Sequence, residues 1–270
     1  MKKIILILTL ILTFQTIFSQ SETRYVSRNF NFQSNQTEYL FADNVKFREN
    51  PNLDSKIIDL LSIDSQIKII EKTEKTLDFD GVKSNWYKIK VDNKIGFVLG
   101  ALISVYNLEV ENTKFKFQIK SNEKNDIYLK VRVISNNRFE QFEYKLIGEE
   151  FSIDLRDNQN LNNLDNMIIV DYLAEACGVE NGKTYIFWNN EKLYHIADLS
   201  SMADGGMYSY SSYFIFPKSI NGIKDKIIYK RETETMEDEE TNWRKESIET
   251  RELIWNGEKL IPDLRNIKND

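Results

Sequence analysis

The residues best equipped for covalent chemistry are Cys177 and His195, the one cysteine and the one histidine of the chain. A cysteine nucleophile needs a lowered pKa, supplied by a helix N-terminus or an adjacent imidazole. Cys177 instead follows an apolar run and precedes Gly178-Val179, where an element ends. His195 lies in Leu193-Tyr194-His195-Ile196, eighteen positions downstream. The expected state is a small buried thiol and a strand histidine with a hydrogen-bond partner, rather than a catalytic pair. A single cysteine forms no internal disulfide, and one Cys with one His is too few for a zinc site built from those types alone. Asp154, Asp157, Asn158, Asn160 and Asp165 form an oxygen-rich stretch. Calcium loops use a closely spaced series of this kind with a Gly at the turn. No Gly lies between Gly148 and Gly178, so an Asn-rich turn is expected there. No metal, cofactor or catalytic residue is expected, and the chain reads as a protein without enzymatic activity.

Binding is a different matter. Ala203-Asp204-Gly205-Gly206-Met207-Tyr208-Ser209-Tyr210-Ser211-Ser212-Tyr213 mixes Gly, Tyr and Ser, the residue types of adaptable contact surfaces. It reads either as a ligand surface or as a turn followed by an edge strand. The Gly pair does not match a phosphate-binding loop.

The elements that position these residues read as strands. The chain has 270 residues, 41% of them hydrophobic, enough for two modest domains. Aromatic residues make up 12%, which favours strands, and only 3 prolines argue against a long disordered linker. The formal net charge of −6, with Lys and Arg interleaved among Asp and Glu, excludes the basic face of a nucleic-acid binder. Met1-Lys2-Lys3, an almost wholly apolar Ile4–Phe18 and Ser19 before Gln20 have the layout of a cleavable secretory signal peptide over residues 1–19. Its apolar run is shorter than the ~20 residues of a membrane span, and no later stretch is long enough. The mature chain is therefore expected to be exported, periplasmic or extracellular. Residues 20–38 read as a polar arm or an added edge strand.

Residues 39–104 alternate apolar and polar positions in short blocks, the pattern of a small half-buried barrel. Val45-Lys46-Phe47-Arg48 precedes a turn at Asn50-Pro51-Asn52, and Ile57 to Leu61 and Ile67 to Ile70 come next. Thr73 to Lys83 reads as a long polar loop. Tyr87, Ile89 and Val91 share one face of the next strand, and Asp92-Asn93-Lys94 is a hairpin turn before Gly96-Phe97-Val98. In this order the blocks resemble a bacterial SH3 (SH3b) domain. Val45, Phe47, Arg48 and Pro51 match its opening, Trp86, Tyr87 and Ile89 its Trp-Tyr block, and Gly96, Phe97 and Val98 its close, with Phe for the usual Trp. Asp64-Ser65 and Asn85 stand where the family has Gly.

The resemblance implies binding of cell-wall peptide or a partner peptide along an aromatic groove, which would draw on Tyr39, Arg48, Trp86, Tyr87 and Phe97. The same aromatics are equally suited to packing a small barrel. Arg48 could pair with a ligand carboxylate or brace a neighbouring loop. Secreted relatives of this type often carry a Cys–His cell-wall peptidase, but Ala176-Cys177-Gly178 lacks that enzyme's Asp-Cys-Ser-Gly motif.

Residues 105–270 read as one antiparallel β domain, meandering or propeller-like, joined to the barrel with almost no linker. Strands are expected around Phe115–Ile119, Ile127–Val133 and Phe142–Leu146, each with one face toward a core. Met167–Leu173 favours a strand over a helix because of its β-branched run. Ile186-Phe187-Trp188-Asn189-Asn190-Glu191-Lys192-Leu193 is echoed by Leu253-Ile254-Trp255-Asn256-Gly257-Glu258-Lys259-Leu260, two strand-turn-strand units with Trp on the core side. Ile227–Thr235 and Arg244–Trp255 form a further pair around a solvated acidic tip. The fold class is thus all-β. The leading functional expectation is a non-catalytic envelope module binding peptide, peptidoglycan or a protein partner. The alternatives are an assembly protein whose barrel packs on its own C-terminal domain, and a hydrolase using Cys177.

Overall fold

The computed structural model describes residues 23–136, 138–173 and 176–264. The signal peptide expected over 1–19 lies outside them. Three antiparallel sheets account for the described residues. The first contains β1 (Thr37–Tyr39), β2 (Val45–Arg48), β3 (Ile57–Leu61), β4 (Gln66–Phe79), β5 (Val82–Val91) and β6 (Lys94–Leu99), in the order β1-β4-β5-β6-β2-β3. It curls into the barrel expected from its short alternating blocks. The second, ordered β10-β9-β8-β7, contains β7 (Tyr106–Val110), β8 (Thr113–Ser121), β9 (Ile127–Ser135) and β10 (Arg138–Lys145). The third is a sequential meander of β11 (Phe151–Asp157), β12 (Asn166–Tyr172), β13 (Asn181–Asn189), β14 (Lys192–Asp204), β15 (Tyr208–Ile215), β16 (Ile227–Asp238), β17 (Trp243–Trp255) and β18 (Leu260–Ile261). The apolar run at 167–173 is therefore a strand. No helix among the described residues is long and apolar enough to cross a membrane.

Two hydrophobic cores hold the sheets. The first is shared: Phe47, Ile69 and Ile89 of the barrel, Phe117 and Leu129 of the second sheet, and Phe151, Ile168 and Trp188 of the third are contiguous. The barrel thus shares one core with the second and third sheets. The second core lies on the other side of the meander. Phe187 of β13 meets Trp255 of β17 with ring centroids 5.1 Å apart, although three strands separate them in the sheet. That contact requires the meander to fold over itself. The fold occurs along β14, whose residues up to Ser201 pair with β13 and whose last four, Ser201–Asp204, pair with β15. A strand that changes partners in this way makes the corner between two packed layers. The two Trp-bearing repeat units therefore serve different cores, Trp188 the first and Trp255 the second.

Three expectations are corrected. The polar stretch Thr73 to Lys83 is no loop: β4 and β5 continue through it as a hairpin closing at Asp80-Gly81. Neither face is buried there, so the alternation that marks a strand is lost. Asp154 and Asp157 belong to β11 rather than to a turn. Strand β15, read as an edge, has a neighbour on each side.

The β4–β5 hairpin positions the barrel. Its tip reaches the second sheet, where the Ser121 amide donates to the Asp80 carbonyl at 2.9 Å and Lys130 pairs with the Asp80 carboxylate at 2.5 Å. Gly81 has φ +72°, and a Cβ there would lie 2.1 Å from the Ser121 carbonyl oxygen. Gly81→Ala is expected to lower folding stability by about 2–3 kcal/mol, from backbone strain and forced undocking of the tip. Urea unfolding monitored by tryptophan fluorescence measures it, and a loss within error of zero would show that the tip docks loosely.

Candidate functional site

The five residues expected to line a groove are held in three different settings. Tyr87 lies on the inner face of β5 and is only 2% exposed. What covers it is the N-terminal arm. Phe30, Phe32 and Tyr87 form an edge-to-face series with centroids 5.2 and 5.4 Å apart. The Phe32 amide donates to the Tyr87 hydroxyl at 3.3 Å, and the hydroxyl donates to Asn31 Oδ1 at 3.4 Å. Burial raises the Tyr87 pKa, and the bond from Phe32 opposes the rise. The start of the arm is fixed twice. Val26 exchanges two backbone hydrogen bonds with Phe151 of β11, at 2.8 and 3.0 Å. Arg24 makes a bidentate contact with the buried Glu38 at 2.7 and 3.2 Å. A cavity of about 240 Å³ remains between the arm and the start of β5, with Lys72, Asn85 and Gln118 on its walls.

Tyr39 is half-buried at the junction of the barrel and the second sheet. The Lys116 ammonium sits 4.2 Å from the centre of its ring. Lys116 and Lys114, both on β8, each reach the Asp64 carboxylate at 2.6 Å. Burial acts to raise the Asp64 pKa, but its bonds to Lys114 and Lys116 outweigh that and hold the pKa below the usual carboxylate range. For Lys116 burial wins and the pKa falls, whereas the bond to Asp64 raises that of the more exposed Lys114. The neighbouring strand repeats the arrangement: Arg132 stacks over Phe41 at 4.5 Å and donates to the Phe41 carbonyl at 2.8 Å. Aromatic rings of the barrel thus meet cations of the second sheet, an attraction that strengthens when water is excluded.

Arg48 and Phe97 are register partners on β2 and β6. Arg48 is buried and donates to the Ser55 carbonyl at 2.7 Å, bracing the loop after β2. Gly96 belongs beside them because a Cβ there would lie 2.6 Å from the Arg48 carbonyl oxygen. Trp86 is buried, and Phe97 is partly exposed. Of the five, Tyr39 and Phe97 keep reachable surface, and two strands, β4 and β5, separate β1 from β6. The other two groove aromatics, Trp86 and Tyr87, are taken up by packing.

Cys177 and His195 are also apart. His195 Nε2 lies 3.0 Å from Asp198 and its ring stacks on Tyr144. Cys177 is exposed, not buried as expected, and lines a cavity that does not include the histidine. That cavity, about 800 Å³, is the larger opening. Its floor is the outer face of β14–β17, and its wall is the 176–181 segment, tied down where the Gly178 amide donates to the Ala203 carbonyl at 2.9 Å. Ala203, Ser209, Tyr210 and Ser211 line it, so the Tyr/Ser stretch singled out by composition does border an open concavity. Glu232, Glu234 and Glu246 also line it, Glu246 being brought to the other two only by the pairing of β16 with β17.

Residues 43–104 match the family model of the bacterial SH3 domain. The chain therefore contains a bacterial SH3 domain, at the position its sequence blocks indicated. No curated protein and no solved structure matches the chain.

Proposed function

We propose that the protein is a non-catalytic, exported binding module of the bacterial cell envelope that recognises peptide or cell-wall material. The observation that carries this reading is the bacterial SH3 domain over residues 43–104, a module type suited to peptide and cell-wall partners. Tyr39 and Phe97 are its reachable aromatic contacts, while Arg48, Trp86 and Tyr87 hold the barrel that presents them. The test is retention on purified, protein-free cell wall beside a known wall binder. The mature protein is expected to be retained, and complete loss in the flow-through while the control is held would end the reading. Mass measurement of the protein recovered from the cell exterior or periplasm is expected to place its first residue near Gln20.

A second reading has its own observation. Lys116 covers the ring of Tyr39, and one core joins barrel and C-terminal sheets. On this reading the barrel is a packing unit, and partner binding falls to the C-terminal meander.

A further inference from the structure

A cleft of about 550 Å³ opens where the β9–β10 hairpin meets the β13–β14 hairpin. Directly paired residues in a sheet project from the same face. One such row runs Phe115, Val133, Glu140 across β8, β9 and β10, and Ser135 with Arg138 belongs to the next. Trp188 of β13 meets that row from the other side, its ring edge-on to Phe115 with centroids 5.2 Å apart. Val133, Arg138, Glu140 and Trp188 all line the cleft. The two repeat tryptophans differ here. Trp255 donates its indole N–H to the Asn163 carbonyl at 2.7 Å. Trp188 is only 6% exposed, yet its N–H has no acceptor among the described residues. Unlike the sealed Asn107 Oδ1 and Tyr144 hydroxyl, this nitrogen is still reachable, and the cleft is the opening that Trp188 borders. A nearly buried donor that no protein atom satisfies is left for water or a ligand. Arg138 and Glu140 likewise make no ion pair among the described residues.

We infer that this cleft binds a short unblocked peptide, its carboxylate on Arg138, its ammonium on Glu140 and a backbone carbonyl on the Trp188 indole N–H. Spacing selects that occupant. Arg138 and Glu140 are two residues apart on one face of β10, roughly 6.6 Å between Cα atoms. An extended dipeptide spans roughly 7 Å, so its two ends reach both side chains. The guanidinium fork suits a carboxylate, and the Glu140 carboxylate accepts from an ammonium. Val133 and the indole ring give an apolar floor beneath few polar groups, the composition of a small-ligand site. Lys192 and Glu191 also border the mouth, so the lining carries no net charge and favours a dipolar ligand over a simple ion. The inference rests on the peptide-recognition reading above and adds to it a site outside the barrel.

The probes are dialanine, its N-acetyl form, its C-terminal amide and the neutral sugar maltotriose, each added to the mature protein. Binding is followed by titration calorimetry and by tryptophan emission. Dialanine is expected to bind and to change the emission, and maltotriose to do neither. Blocking either end of dialanine is expected to weaken it roughly ten-fold, the loss of one charge-assisted contact. Glu140→Gln is expected to abolish the discrimination against the N-acetyl form and to keep that against the amide. Arg138→Gln is expected to do the reverse. Both positions are exposed, and circular dichroism confirms that the variants are folded. Trp188→Phe keeps a ring in the core and is expected to remove the emission change. If that variant fails to fold, the two glutamine variants still decide. No binding of dialanine, the same change of preference in both glutamine variants, or binding of maltotriose in its place would overturn the inference. So would an emission change that survives Trp188→Phe. Wall retention that persists in those cases leaves the broader reading standing while this one falls.

Discussion

Asp64→Ala is expected to lower the folding free energy by about 3–5 kcal/mol, the cost of leaving a buried charge without its partner. Lys116 is 4% exposed at its side chain and has Asp64 as its ion-pair partner at 2.6 Å. The face of Tyr39 offers it a second attraction, too weak to replace a carboxylate. Pairing Asp64→Ala with Lys116→Met removes both charges and keeps the volume of the lysine stem. The double variant is expected to recover most of the loss, since an apolar pair often replaces a buried ion pair at little cost. Equilibrium urea unfolding of the three variants gives the comparison. A loss below about 1 kcal/mol for Asp64→Ala would mean that the pair behaves as a surface contact. The pH dependence has a fixed sign. The folded-state pKa of Asp64 is depressed, so its contribution is complete above the unfolded carboxylate range and disappears as pH falls through the folded value. The gap between wild type and Asp64→Ala is therefore expected to close below about pH 4.

This triad also marks where the sequence stops being informative. Phe115, Phe117 and Ile119 alternate with Lys114, Lys116, Gln118 and Lys120, and the alternation correctly gives strand β8. It also suggests that the lysine side faces water. In the structure Lys116 and Gln118 are buried against the barrel, with Gln118 Nε2 donating to the Ile103 carbonyl at 2.6 Å. Period-two patterning reports which side chains share a face, not what that face meets, so an interface built from cations and rings looks like a solvated surface. The same limit hid the site residues. Val45, Phe47, Trp86, Tyr87 and Gly96 located the barrel because local spacing specifies short strands. Whether Tyr87 is open depended on Phe32, 55 positions earlier, which only the folded chain brings to it. Likewise Glu234 and Glu246 are distant charges until the β16–β17 register sets them side by side.

Tyr87 separates the two roles a barrel aromatic can have. Tyr87→Ala is expected to cost about 3–5 kcal/mol, because a fully buried ring leaves both its contacts and a cavity. The loss falls on the seam between the arm and β5, so the edge-to-face contact with Phe32 and its continuation to Phe30 go with it. Tyr87→Phe keeps the ring and removes the oxygen that receives the Phe32 amide. That amide, at a buried residue, is then unsatisfied, and the expected cost is about 1–3 kcal/mol. A ligand contact predicts the opposite pattern, since a hydroxyl used only by a ligand is lost without harm to the fold. Stability and cell-wall retention measured together on Tyr87→Phe decide between them. The expected result is a lower unfolding midpoint with retention of the folded protein unchanged. An unchanged midpoint with weakened retention would return Tyr87 to the binding surface and require the arm to lift away from β5 when ligand is bound.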